Sequence, residues 1–115
     1  MSISEQNTHQ TLENVTADFI SEIISLGGIG PSYISAVAVE GSGYTFDAKL
    51  ELSNTPDIES SWIVKTDTVE TGIDDDPETG QGIGYEVSSG AAYCRLVGSN
   101  VTGTIAKLII TTNKA

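Results

Sequence analysis

The chain has 115 residues, enough for one domain whose core needs neither a metal nor disulfide staples. Sixteen acidic residues stand against five basic ones, a formal net charge of −11, and a surface of that sign repels phosphate backbones and anionic head groups. Nucleic acid and membranes are therefore not expected as partners, and a lone cysteine, Cys94, excludes both an intrachain disulfide and a cysteine-built zinc site.

Residues 1–14 are polar, with only Ile3 and Leu12 scattered among them, and have neither helical nor strand periodicity. They are predicted to form an extended N-terminal arm ahead of a domain at 15–115. Ile3 and Leu12 are too few to bury themselves and are the candidate partner-binding residues, suited to β-addition or groove docking on a neighbouring subunit. The start of the arm has no basic or apolar signal-peptide region, so none is expected. No stretch approaches the roughly 18 apolar residues of a membrane-spanning helix.

Residues 15–26 leave helix and strand open. Phe19, Ile20, Ile23 and Ile24 fit a helical stripe, yet the segment is rich in β-branched residues and stops at Gly27-Gly28. Residues 33–40 are almost continuously small or apolar, which predicts a strand covered on both faces. Residues 43–53 alternate without error: Tyr44, Phe46, Ala48, Leu50 and Leu52 on one side, Thr45, Asp47, Lys49 and Glu51 on the other. That is a strand with one dry and one wet face. Gly41-Ser42-Gly43 between the two predicts a hairpin turn.

Short strands are predicted at 61–66, around Trp62, and at 83–87, around Tyr85, with an acidic turn at 74–78 before the second. Residues 91–98 and 104–112 alternate again and are predicted as two strands, with a turn at 99–103. Strands recurring about every ten residues predict a single all-β sandwich, jelly-roll-like, of about seven or eight antiparallel strands. Tyr44, Phe46, Leu50, Leu52, Leu108 and Ile110 are its predicted core.

Few residues offer chemistry. Calcium takes six to eight converging oxygens, but Asp74, Asp75 and Asp76 are consecutive and diverge, so the stretch Asp74–Glu78 is expected to be a solvated turn. His9, the single histidine, lies in the arm with no nucleophile near it in sequence. Cys94 alternates with Ala92 and Leu96, which predicts a small core residue, with Arg95 on the opposite face. Gly80-Gln81-Gly82-Ile83-Gly84 lacks the lysine, spacing and following helix of a phosphate loop. Trp62 is expected to plug the core, with a sugar-stacking platform as the alternative. No catalytic residue, metal or cofactor is expected.

One wider pattern runs from residue 15 to 114. Asp18-Phe19-Ile20-Ser21 leads to Leu26-Gly27-Gly28, long strands follow, a loop precedes Trp62, and Tyr93-Cys94-Arg95-Leu96 comes before a last strand ending at Lys114. This resembles a group of small tailed-bacteriophage virion proteins with an Asp-Phe-x-Ser … Leu-Gly-Gly start and a Tyr-x-Arg-Leu strand near the end. Their central Gly-Ser-x-Asp-Gly turn is replaced here by Leu52-Ser53-Asn54-Thr55-Pro56-Asp57-Ile58. The resemblance implies that residues 16–26 are strand. It also implies a non-enzymatic structural role in the virion, assembled in the bacterial host cytoplasm, with the major capsid protein or other virion subunits as partners and self-association among them. Capsid decoration (cement) is the favoured role. A carbohydrate-binding module on the virion surface and a head–tail or tail accessory protein are the alternatives.

Overall fold

The alternating stretch at 43–53 belongs to a longer strand, β4 (Ser32–Ser53), and the final apolar segments fuse into another, β8 (Tyr93–Lys114), each of 22 residues. A computed structural model describes residues 8–26, 32–76, 82–87 and 91–114. Six short strands flank the two long ones: β1 (Thr8–Val15), β2 (Phe19–Ile20), β3 (Ile24–Ser25), β5 (Ile63–Val64), β6 (Glu70–Asp74) and β7 (Gly82–Val87). Among the described residues they form one eight-stranded sheet in which every pairing is antiparallel. The fold is all-β.

β4 and β8 run side by side from Ser32↔Lys114 to Ser53↔Tyr93, with register shifts confined to β4 residues 38–47. At those shifts the ribbon bends and the sheet curls over itself. Layer one is β1–β8–β4–β7, built on the first part of β4 and the last part of β8. Layer two uses the other ends of both, with β2 and β3 along β8, and β5 and β6 along β4. Ile34, Ala36 and Ala38 from layer one share one buried cluster with Tyr44, Phe46, Ala48 and Leu50 from layer two. Phe46, Leu50, Leu96, Ile105 and Leu108 are fully buried, and Leu52 is half-buried against the same cluster.

The two predicted turns are thus corrected to bends. Gly41 (φ 125°), Gly43 (φ 69°), Asn100 (φ 52°) and Gly103 (φ 71°) hold left-handed backbone, but the chain continues forward. A Cβ on Gly41 would lie 2.9 Å from the Thr104 carbonyl oxygen, and one on Gly103 2.5 Å from that of Gly43. The strands are too close there for any larger residue, so the glycines serve close approach and bending. Two aspartates hold Asn100: Asp18 Oδ1 accepts from its backbone N–H at 3.0 Å, and Asp47 Oδ2 from its side-chain amide at 2.7 Å. These bonds from Asn100, and then from the Gly72 N–H, hold the Asp47 carboxyl below its ordinary range.

The choice left open by periodicity at residues 15–26 falls to strand, as the resemblance implied, in the two short pieces β2 and β3. Two other expectations change. Residues 8–14, expected in the arm, belong to β1, which pairs with β8 from Thr8↔Thr112 to Val15↔Ile105. The sheet edge supplies the hydrogen-bond partners that a polar segment cannot find alone. Residues 33–40 are covered on one face only, since Tyr33 is 52% and Val37 40% exposed.

Layer two has interrupted edges, and two hydroxyls close the gaps. Between β2 and β3, Ser21 N–H donates to the Leu96 carbonyl at 2.8 Å and Ser21 Oγ accepts from Leu96 N–H at 2.8 Å. Between β5 and β6, Lys65 N–H donates to the Leu50 carbonyl at 2.9 Å and Thr68 Oγ1 accepts from Leu50 N–H at 2.9 Å. Leu50 and Leu96 face each other in register, so both plugs complete the same row. Ser21 and Thr68 are themselves buried.

Candidate interaction surface

The sequence candidates scatter across the molecule. Leu12 is half-buried and packs against the core, while Ile3 lies outside the described residues. His9 is paired in β1 opposite Thr111. Cys94 is fully buried among apolar groups, and burial pushes its thiol up to about 12, far from a reactive thiolate at neutral pH. In the acidic stretch, Asp75 Oδ2 accepts from the Gly43 N–H at 2.9 Å and Asp74 Oδ1 from the Asp76 N–H at 3.0 Å. Glu78 lies outside the described residues. Among the described residues no group of three or more His, Cys, Asp or Glu is placed to hold a metal ion.

Trp62 does not plug the core. It lies half-exposed on the outer face of layer two, with the Arg95 guanidinium 4.3 Å from its ring centroid. The strand register explains the site. Arg95 sits directly opposite Glu51, both pointing outward, and Arg95 Nε donates to Glu51 Oε1 at 2.8 Å. Its other nitrogens reach the loop after β4, where Nη2 donates to Glu59 Oε2 at 2.6 Å and Nη1 to Glu59 Oε1 at 3.3 Å. These bonds hold the Glu59 carboxyl below its usual range. Arg95 thus clasps the loop to the sheet with two carboxylates and an aromatic lid. Sequence reasoning missed the clasp, because the signal is a pairing between residues 44 positions apart.

The clasped loop presents Ile58, and β5 beside it presents Ile63, 55% and 70% exposed. Beside them an open groove of about 490 Å³ is lined chiefly by Leu52, Ser53, Asn54, Ser61, Ile63 and Val64, none of them titratable. Such a lining favours contact over proton transfer.

Charge divides the molecule. Of the sixteen acidic residues, Glu5 and Glu78 lie outside the described residues and Glu13, Glu40 and Glu86 belong to layer one. The remaining eleven lie on layer two and its loops, opposed there only by Lys49, Lys65 and Arg95. Layer one sets Lys107 against its three, and Lys114 ends β8.

No protein-family model matches the sequence, and no curated protein matches it. The comparison with solved structures gives one strong likeness and weaker ones. The chain aligns over 98% of its length with 97% of YomS, a protein derived from the SPBc2 prophage, at a TM-score of 0.55 and 16% identity. It aligns over 95% with 84% of the mitogen derived from Yersinia pseudotuberculosis, at 0.44 and 10% identity. It also aligns over 98% with 25% of a chain of Clostridium thermocellum xylanase 10B that carries a CBM22 module, at 0.39 and 14% identity. The last two likenesses are too weak for anything to be drawn from them. The first shows that this chain and a prophage-derived protein share one fold from end to end.

Proposed function

We propose that the chain is a non-enzymatic structural protein of a tailed-phage particle, bound as a decoration subunit to the lattice of the major capsid protein. The end-to-end likeness to the prophage-derived YomS carries this reading. The two motifs of the sequence resemblance support it, because they meet in space. Asp18 holds Asn100, the Phe19 ring lies where a side chain on Gly98 would go, and Ser21 completes the edge at Leu96. The acidic layer two is the attachment side. It steers the subunit to basic patches on the lattice, and the attachment weakens in high salt before the domain unfolds.

Quantitative mass spectrometry of purified particles tests the reading. A decoration subunit scales with the copy number of the major capsid protein, whereas a head–tail or tail accessory protein is present in a small number fixed by ring symmetry. Absence from washed particles would remove the virion role altogether.

A further inference from the structure

The outer face of layer one has no role in the reading above. Its rows run across four strands: Gly84, Ser35, Thr111 and His9 in one, then Gly82, Val37, Ile109 and Thr11 in the next. Ser35 Oγ and Thr111 Oγ1 share a hydrogen bond at 2.7 Å, so the polar atoms at the centre satisfy each other. The Tyr33 ring occupies the space that a side chain on Gly84 would need. It is thereby laid over the sheet while remaining about half exposed. The face is built mainly from small and apolar groups, and its charge sits toward its ends, at Glu86 on one side and at Glu13, Lys107 and Glu40 on the other.

We propose that this face pairs with the same face of a second copy of the chain. Charge selects the occupant. Two molecules of net charge −11 repel each other, and the eleven carboxylates around layer two keep that side of one copy from any side of another. Layer one, with three carboxylates and Lys107 among them against eleven carboxylates on layer two, is where two copies approach at least cost. Stacking through it also holds the two acidic layers at maximum separation. Sheet faces of small and β-branched residues pack at about 10 Å in this way. At about 3.3 Å per residue and about 4.8 Å per strand, six residues on four strands give a projected footprint of roughly 400 Å². Counted over both copies, about 800 Å² falls below the roughly 1,200 Å² of stable specific interfaces and sets a weak, reversible pair, not an obligate one. The pairing is isologous, Tyr33 and Val37 of each copy meeting the other's face. It does not depend on the phage reading.

Sedimentation equilibrium of the whole chain tests it over a range of concentrations and from about 0.01 M to about 1 M salt, across which the screening length falls from roughly 30 Å to roughly 3 Å. The expected result is a mass that rises from one chain toward two with concentration, with at least tenfold tighter pairing at the high-salt end. Val37→Glu and Tyr33→Glu, each confirmed as folded by circular dichroism, should return the chain to a monomer, while Ile63→Glu on layer two should leave pairing intact. A single-chain mass at every concentration and salt overturns the proposal. So does a dimer that survives Val37→Glu and is lost in Ile63→Glu. If the wild type stays monomeric while Val37→Glu loses particle binding, the face belongs to the lattice and the proposal fails.

Discussion

Layer one and layer two are built on the same two strands, yet they finish their edges differently. Layer one is bordered by unbroken strands, β1 and β7, and its outer face is small and apolar at the centre and carries few charges. Layer two is bordered by fragments two to five residues long. Its ladder is completed by Ser21 and Thr68, and the chain between fragments departs as loops that carry Glu59, Trp62, Ile58 and most of the acid. A broken edge gives up some backbone pairing and gains side chains that stand clear of the sheet. Contact chemistry therefore collects on layer two, while layer one keeps the flatness that stacking requires.

That contrast can be broken most severely at layer one's edge. Deleting residues 1–14 removes all of β1 but Val15 and leaves that edge of β8 open, with β4 still paired on its other side. With roughly 1 kcal/mol per net hydrogen bond, the loss is on the order of 5 kcal/mol, comparable to the whole stability of a small domain. Deleting residues 1–7, which spares β1, should cost less. Equal behaviour of the two truncations would show that β1 contributes nothing to the fold.

The ion pairs should differ next. Arg95→Ala leaves Glu51, whose side chain is 14% exposed, without its cation and should cost about 2–3 kcal/mol. Lys107→Ala, in an exposed pair 4.0 Å from Glu40 on layer one, should stay within about 0.5 kcal/mol. Urea denaturation of both variants measures the difference, and similar costs would make the clasp an ordinary surface pair.

The hydroxyl plugs are expected to rank below the clasp. Ser21→Ala and Thr68→Val each orphan a buried backbone N–H, at about 1–2 kcal/mol apiece. Amide exchange at Leu96 should accelerate in the first variant and at Leu50 in the second, while β1 amides stay protected. Uniform acceleration would mean that the plugs act globally.

Alkaline pH gives a graded effect rather than a single step. The Cys94 thiol is raised from an ordinary value of 9.0 to about 12 by burial, so the unfolded chain releases this proton first. Stability from this group is complete below about pH 9 and falls by about 1.4 kcal/mol per pH unit as pH rises toward 12. Burial also raises the Tyr85 hydroxyl, which adds in the same direction. Denaturation at pH 7 and 10.5 should show the loss, reduced in Cys94→Ala; an unchanged slope in that variant would assign it to Tyr85 and other groups.

The inward residues were legible because alternation is local: Tyr44, Phe46, Ala48 and Leu50 declare their face without any partner. The bends were not legible. Gly41-Ser42-Gly43 satisfies a reversal and a bend equally, since both use left-handed backbone, and the choice is made by strands far away in sequence. β1 was hidden because its outward residues are polar on an edge, leaving only Leu12 and Val15 to mark the inner side. The Arg95 clasp needed the register of β4 against β8, which composition does not encode. Trp62 misled for a related reason, as its partner is a cation on the next strand but one, and stacking on it competes with burial in the core.

The bent ribbon also sets the order in which the molecule can form. Both layers need β8, and β8 pairs with β1, which precedes it by about a hundred positions, through Thr8↔Thr112. No sub-assembly of β1 to β7 closes a core, because each of these strands reaches the others only through β4 or β8. Nearly all stabilising pairs are therefore distant along the chain, which places folding in the slow regime of milliseconds to seconds. A one-residue slip of β4 along β8 would turn Phe46 and Leu50 outward together. The left-handed positions at Gly41, Gly43, Asn100 and Gly103 act as detents against such a slip, since only one alignment places all four at the crease.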